Sequence, residues 1–236
     1  MVRQHVVTRP IGGTVSLTGL LRGRTLVLLD FDGPICAAFG AEGSLSAANA
    51  LRSFLGSRGV QLDQDEPNGD PLGVLRMVAR QRPALLLPVD AHLRELECTA
   101  VTTAVPSAGS EEFIRATAES GRALAVVSNN AAEAIESYLA THALSPFITA
   151  VEGRPAAEPA RLKPDPFILQ RALDRVGQPP ASAVMIGDSP SDVGAAHALG
   201  IPCIGLANKP GKRARLHDAR ADALCDSMSE LRSALP

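Results

Sequence analysis

Tryptophan is absent from this chain, tyrosine occurs once and phenylalanine six times, so with aromatics at 3% and hydrophobic residues at 45% the core must be aliphatic. Cysteine is also scarce. Cys36, Cys98, Cys203 and Cys225 form no CxxC pair and no metal-ligand spacing, which argues for reduced thiols in a cytoplasmic protein. Cys36 reads as a small buried hydrophobe. No uninterrupted apolar run approaches the ~18 residues of a membrane-spanning helix. The first twenty residues carry Arg3 and Arg9 but no compact apolar region followed by a cleavage site, so no secretion signal is expected. Neither sign of charge dominates: 23 Lys and Arg face 25 Asp and Glu, a net charge of −2 that gives no reason to expect a nucleic-acid or membrane partner. No internal repeat is present. The 236 residues allow one large domain or a domain carrying an insertion.

What the chain does have is a set of apolar strands with acidic ends. Leu26-Val27-Leu28-Leu29 runs straight into Asp30-Phe31-Asp32-Gly33. Aspartate is a poor strand residue, and a carboxylate beside an apolar core is costly unless it is paired or bound to metal. Asp30 and Asp32, two apart, point to the same side of the strand. Two converging carboxylates suggest a hard-cation site, Mg²⁺ with oxygen ligands; a turn in which they merely cap the next segment is the lesser alternative. Three further segments add to them. Ala123–Val127 ends in Ser128-Asn129-Asn130. Lys163-Pro164-Asp165-Pro166 opens a helical stretch. Ala183–Ile186 ends in Gly187-Asp188-Ser189-Pro190-Ser191-Asp192. In open α/β sheets ligands bind beyond the carboxyl ends of the strands. Such a sheet would gather up to four carboxylates for a cation, with a hydroxyl and an ammonium for an anion. That is the equipment of phosphoryl transfer.

These four motifs, in this order, resemble those of the haloacid dehalogenase superfamily of phosphohydrolases, from residue 24 to about residue 230. The resemblance is to C1-capped phosphatases of the phosphoglycolate phosphatase and β-phosphoglucomutase type. It implies that Asp30 is the nucleophile, forming an aspartyl-phosphate, and that Asp32 is the general acid and base. Ser128, Lys163 and the backbone at Asn129 would hold the phosphoryl group. Asp30, Asp188 and the Asp32 carbonyl would hold Mg²⁺. Asp192 would bind the metal directly or through water, or orient Lys163. Pro34 departs from the usual threonine and is expected to alter packing or cap linkage rather than activity. A small phosphorylated metabolite is the expected partner. A phosphomutase of β-phosphoglucomutase type would carry the same motifs and is the alternative. A metal-independent dehalogenase would not need Asp32, and in a phospho-accepting receiver module the nucleophile follows a later strand.

The rest of the chain is organised around these motifs. Residues 1 to about 14 are expected to be irregular, and residues 16–22 to form a short helix. From 36 to about 105 the strand pattern stops. Helices are expected over Ser46–Leu55, Leu72–Arg80 and Val89–Cys98, with an acidic turn at Asp63–Asp70. From Pro106 strands and helices alternate: a helix capped by Ser110 and stopped at Gly121, a strand near Phe147–Val151, and a helix from Asp165 to Val176. A strand at Cys203–Leu206, another at Ala223–Cys225 and a helix from Ser227 follow. The fold class is α/β: a Rossmann-like parallel sheet with helices on both faces. Residues 1–35 and 106–236 would be the core and 36–105 a helical cap of C1 type. Asn208–Arg213 is expected to be a solvated basic loop. Cap arginines Arg52, Arg58, Arg76, Arg80 and Arg82 are candidates for a substrate clamp. His92, His142, His197 and His217 share no spacing and are assigned no role.

Overall fold

The computed structural model describes residues 16–62 and 69–236, the side chains of residues 40–42 excepted. The expected irregular N-terminal stretch and most of the Asp63–Asp70 turn lie outside the described residues. In chain order the first elements are α1 (Leu17–Leu21), β1 (Leu26–Leu29), β2 (Cys36–Ala37), α2 (Gly40–Gly56), α3 (Pro71–Gln81), α4 (Leu86–Ala100) and β3 (Val105–Pro106). Then follow α5 (Ser110–Glu119), β4 (Ala123–Val127), α6 (Ala132–Thr141), β5 (Ala150–Glu152), α7 (Phe167–Val176) and β6 (Ala183–Gly187). The chain continues with α8 (Pro190–Ala198), β7 (Cys203–Leu206), α9 (Lys212–Asp218), β8 (Ala223–Cys225) and α10 (Met228–Ala234).

Six strands form one parallel sheet in the order β5-β4-β1-β6-β7-β8. Its strands are apolar along their length because both faces are covered. Along β1, Val27 and Leu29 enter the layer holding Phe113, Ile135 and Leu231, while Leu26 and Leu28 enter the layer holding Leu169, Leu173 and Val193. The core is aliphatic, as the composition requires. The lone tyrosine, Tyr138, is buried with its ring edge-on to Phe31, centroids 5.4 Å apart.

Between the two short strands β2 and β3, helices α2, α3 and α4 bury a separate cluster that includes Leu51, Leu55, Val74, Val78, Val89 and Leu93. The segments joining this unit to the sheet are not plain connections. Cys36 and Ala37 pair antiparallel with Pro106 and Val105.

Several local expectations are corrected. The Ser110 hydroxyl caps nothing: Gly109, with φ +80°, is the N-cap, and Ser110 Oγ is buried without a hydrogen-bond partner among the described residues. Residues 145–147 form a 3₁₀ turn and the strand begins at Ala150, because the proline at 146 suits the first positions of a helical turn. Helix α2 starts at Gly40, six residues before the expected start; glycines at 40 and 43, weak helix formers, hid it. Helix α7 starts at Phe167, whose N–H is taken by Asp165 Oδ1. The solvated loop expected over Asn208–Arg213 instead turns at Gly211, φ +78°, and opens α9 with Lys212 buried.

Candidate active site

The register of the sheet brings the polar residues to one edge. Leu29 lies opposite Val126 of β4 and Ile186 of β6. Beyond that level Asp30 follows directly, and Ser128 and Asp188 one residue further on. The Asp30 N–H still donates to the Ile186 carbonyl at 3.0 Å. Strand order diverges on either side of β1, and a crevice opens at such a switch point.

Each side chain in this crevice is fixed. Asp30 Oδ1 accepts from the Phe31 N–H at 2.7 Å and pairs with Lys163 Nζ at 2.9 Å. Its Oδ2 makes no hydrogen bond to the described residues. Lys163, fully buried, also donates to the Val127 carbonyl at 3.0 Å and to Asp192 Oδ1 at 2.6 Å. The other oxygen of Asp192 accepts from the N–H groups of Asp188 (3.1 Å) and Ser189 (3.0 Å) and from Ser189 Oγ (2.7 Å). Asp192 thus has both oxygens engaged by protein donors. Asn129 is turned toward motif Lys163: its Oδ1 accepts the Lys163 N–H at 2.8 Å and its Nδ2 donates to the Lys163 carbonyl at 3.3 Å. Asp32 Oδ1 accepts from the Ala38 N–H at 2.9 Å, where the chain leaves for α2.

Glycine is required at two points. Gly33 has φ +108°, and a Cβ there would lie 1.9 Å from Asp188 Oδ2; at Gly187 a Cβ would lie 2.4 Å from the Asp192 side chain. Pro34 costs the turn nothing, since its hydrogen bonds come from Gly33 N–H to the Cys36 carbonyl and from Ile35 N–H to the Phe31 carbonyl.

Electrostatics follow from crowding carboxylates away from water. Burial, then the neighbouring Asp192, pushes the Asp30 carboxyl up to about 7, against the pull of Lys163. Burial raises Asp32, opposed by the Ala38 N–H and by Lys209 and Lys212. It raises Asp188 too, opposed by Lys212. Burial works against the Lys163 ammonium, but Asp192 and Asp30 outweigh it and hold the lysine charged. Carboxylates raised in this way are short of positive charge, which is what a divalent cation supplies. Oxygens of Asp30, Asp188 and Asp192 lie within 4.8 Å of one another, a hard-donor set suited to Mg²⁺. The Asp32 carboxylate is not in that group, so its place in a ligand set rests on the backbone carbonyl.

The carboxylates open into a cavity of about 230 Å³, closed from the helical unit by Phe39, Ser44, Asp70, Leu72 and Glu97. None of Arg52, Arg58, Arg76, Arg80 and Arg82 lines it. Arg58 lies over the Phe54 ring and Arg76 reaches Asp70. A larger cavity of about 370 Å³ between α2, α4 and the joining strands has no acidic or basic side chain in its lining. The histidines stay outside the site: His92 pairs with Glu95, His142 with Glu111 and His197 with Asp222.

Three charged residues behind the site were not legible in the sequence, and a fourth, Lys212, was expected in a solvated loop. Lys212 Nζ contacts Asp188 Oδ2 and Asn208 Oδ1. Arg154, Asp90 and Glu97 form a buried cluster joining α4 to the loop after β5. One signal was available for Glu97. Val89, Leu93, Glu97 and Val101 recur at i, i+4 spacing and are all buried, and Glu97 is the one charged residue on that stripe.

Comparison with known proteins agrees with this arrangement. The family profile described as haloacid dehalogenase-like hydrolase matches residues 88–206. A plasmid-borne phosphoglycolate phosphatase from Cupriavidus necator is 36% identical over 127 residues, 52% of each chain. A phosphoglycolate phosphatase from Pseudomonas putida is 29% identical over 153 residues, 65% of this chain and 53% of that protein. The chain thus spans about half the length of these curated relatives. Among solved structures, a predicted phosphatase from Clostridium acetobutylicum superposes with a TM-score of 0.70 at 18% identity, covering 89% of this chain and 97% of that one. CbbY from Rhodobacter sphaeroides, in complex with xylulose-(1,5)bisphosphate, gives 0.68 at 21% identity, covering 88% and 96%; both share the fold. With the profile covering half the sequence and the four motifs set side by side at the sheet edge, the chain belongs to the haloacid dehalogenase-like hydrolase family.

Proposed function

We propose that this chain is a Mg²⁺-dependent phosphatase of small phosphomonoesters, working through an aspartyl-phosphate on Asp30. One observation carries the reading: Asp30, Asp32, Ser128, Lys163 and Asp188 line a single cavity at the switch point of the sheet. The curated relatives, named as phosphoglycolate phosphatases, support hydrolysis over the mutase alternative. Residues 36–105 are taken as the cap.

The chemistry follows from the hydrogen bonds. Asp30 Oδ1 is held by Phe31 N–H and Lys163, which leaves Oδ2 as the attacking oxygen. Oδ2 forms a bond to phosphorus as the bond to the leaving oxygen breaks. Asp32, whose carboxyl burial raises above the ordinary carboxylate range, gives a proton to the departing alkoxide. A water molecule then attacks phosphorus and passes its proton to Asp32. The Asp30–phosphorus bond breaks, and inorganic phosphate is released. Ser128 and Lys163 hold the equatorial oxygens, and Asp192 fixes Lys163. Asp30, Asp188 and the Asp32 carbonyl would hold Mg²⁺, which when bound neutralises charge as one anion attacks another. Asp32 and Asp188 also line a neighbouring cavity of about 580 Å³ with Lys209, Lys212 and Arg215, a cationic surround that suits a small phosphorylated metabolite.

The test is a steady-state screen of the purified protein against phosphorylated metabolites, with Mg²⁺ and with EDTA. Turnover that EDTA removes and Mg²⁺ restores is expected. Turnover indifferent to EDTA, or none across the panel, would overturn the reading.

A further inference from the structure

Behind the cavity lies a charge cluster that this reaction does not use. The Arg154 side chain is 2% exposed, and its guanidinium is consumed inside the protein. Nε donates to Asp90 Oδ1 at 2.7 Å, Nη2 to Glu97 Oε2 at 3.1 Å, and Nη1 to Glu97 Oε1 at 2.8 Å and the Asn129 carbonyl at 2.9 Å. The Arg154 N–H also donates to the Asn130 carbonyl at 2.8 Å. Gly153 permits this approach, since a Cβ there would lie 2.4 Å from Ala132 N.

Glu97, on α4, carries the contact onward. Its Oε1 accepts from Asn130 Nδ2 at 3.2 Å and its Oε2 from the Ala131 N–H at 3.0 Å. Asn130 in turn brackets Ser128: its Oδ1 accepts from Ser128 Oγ at 3.1 Å and its N–H donates to that oxygen at 3.3 Å. An unbroken chain of hydrogen bonds therefore runs from α4 to the hydroxyl assigned to the phosphoryl group. A buried ion pair adds little net stability compared with apolar packing. A carboxylate lining a phosphoryl cavity also repels the dianion. Stability and substrate attraction both leave Glu97 unexplained; placement of the Ser128 oxygen does not.

We propose that Glu97, with Arg154 as counter-ion, is a positioning residue that fixes Asn130 and through it Ser128, so that the phosphoryl pocket is complete only with α4 seated on the sheet. This rests on the phosphatase reading above. It makes the helical unit part of the anion site as well as its cover.

The test is orthophosphate binding to the full chain in Mg²⁺, by calorimetry, beside thermal melting. Glu97→Gln removes the charge-assisted acceptor and is expected to weaken orthophosphate about tenfold. Asn130→Ala should do the same, and the double variant should bind no worse than Asn130→Ala alone, because Glu97 acts through Asn130. Asp90→Asn touches Arg154 but not the Ser128 loop; it should lower the melting temperature and leave orthophosphate affinity within about twofold. Unchanged binding in Glu97→Gln, losses that add in the double variant, or an equal loss in Asp90→Asn would overturn the proposal while leaving the phosphatase reading intact. Should Glu97→Gln not fold, Asn130→Ala at its half-buried position decides: about tenfold weaker binding supports the proposal, and unchanged binding overturns it. Wild-type protein that binds no orthophosphate overturns both.

Discussion

Asp30 and Asp32 are two residues apart, yet they sit in different surroundings. Asp30 is tied to a buried lysine through one oxygen, whereas Asp32 is held by the Ala38 N–H; burial raises both carboxyls. In the proposed mechanism Asp32 carries the proton to the leaving oxygen and Asp30 attacks phosphorus. Asp32→Asn is therefore expected to slow an alkyl phosphate by about 10² to 10⁴ and an activated aryl phosphate by clearly less, since a good leaving group needs little protonation. Equal losses on the two substrates, in parallel steady-state assays, would assign Asp32 to geometry instead. The cysteines give a second residue-scale prediction. Burial raises Cys36 and Cys203 far above the ordinary thiol range and pushes Cys225 up to about 12, while Cys98 is half-buried and less affected. At pH 8 the first three hold almost no thiolate. Mass spectrometry after brief iodoacetamide treatment of the folded protein should find Cys98 labelled and the others protected. At this scale the motif residues were legible because strand ends with carboxylates are chemically conspicuous. Arg154 was not, because nothing in Gly153-Arg154-Pro155 indicates that a helix some sixty residues earlier supplies its counter-ions.

Among elements, the strands were the most legible and the helix starts the least. Fully buried strands such as β1 read as unbroken apolar runs, and their polar ends mark where they stop. Helix α9 was hidden because Lys212 opens it, a cation in the first turn being opposed by the helix dipole. Its burial reflects the pull of Asp188, not helix propensity. Leu28 lies in the middle of β1 with no exposure. Leu28→Ala should cost about 2–5 kcal/mol in chemical denaturation, whereas Leu45→Ala, at a site 46% exposed on α2, should stay within about 0.5 kcal/mol. Equal costs would mean that β1 is not the central strand.

The whole molecule is a parallel sheet whose switch point is roofed by three helices anchored at two places: the paired strands β2 and β3, and the Arg154 cluster. Small residues and a proline at the joins, near residues 36–38 and 105–106, suit a hinge and a plain connection equally. The buried ion pairs between α4 and the sheet show a firmer attachment in this conformation. Helices standing over the carboxylates hinder the approach of a folded protein to Asp30. The intact protein should therefore turn over small phosphomonoesters and leave a folded phosphoprotein untouched in a phosphate-release assay; efficient release from the phosphoprotein would show that the roof does not restrict access. The central claim, nucleophilic attack by Asp30, has a more direct test. Asp30→Asn and wild-type protein, matched for fold by circular dichroism, are compared in steady-state hydrolysis of a small phosphomonoester with Mg²⁺. A loss of more than about 10³-fold is predicted; a folded Asp30→Asn protein that retains substantial turnover would contradict the account.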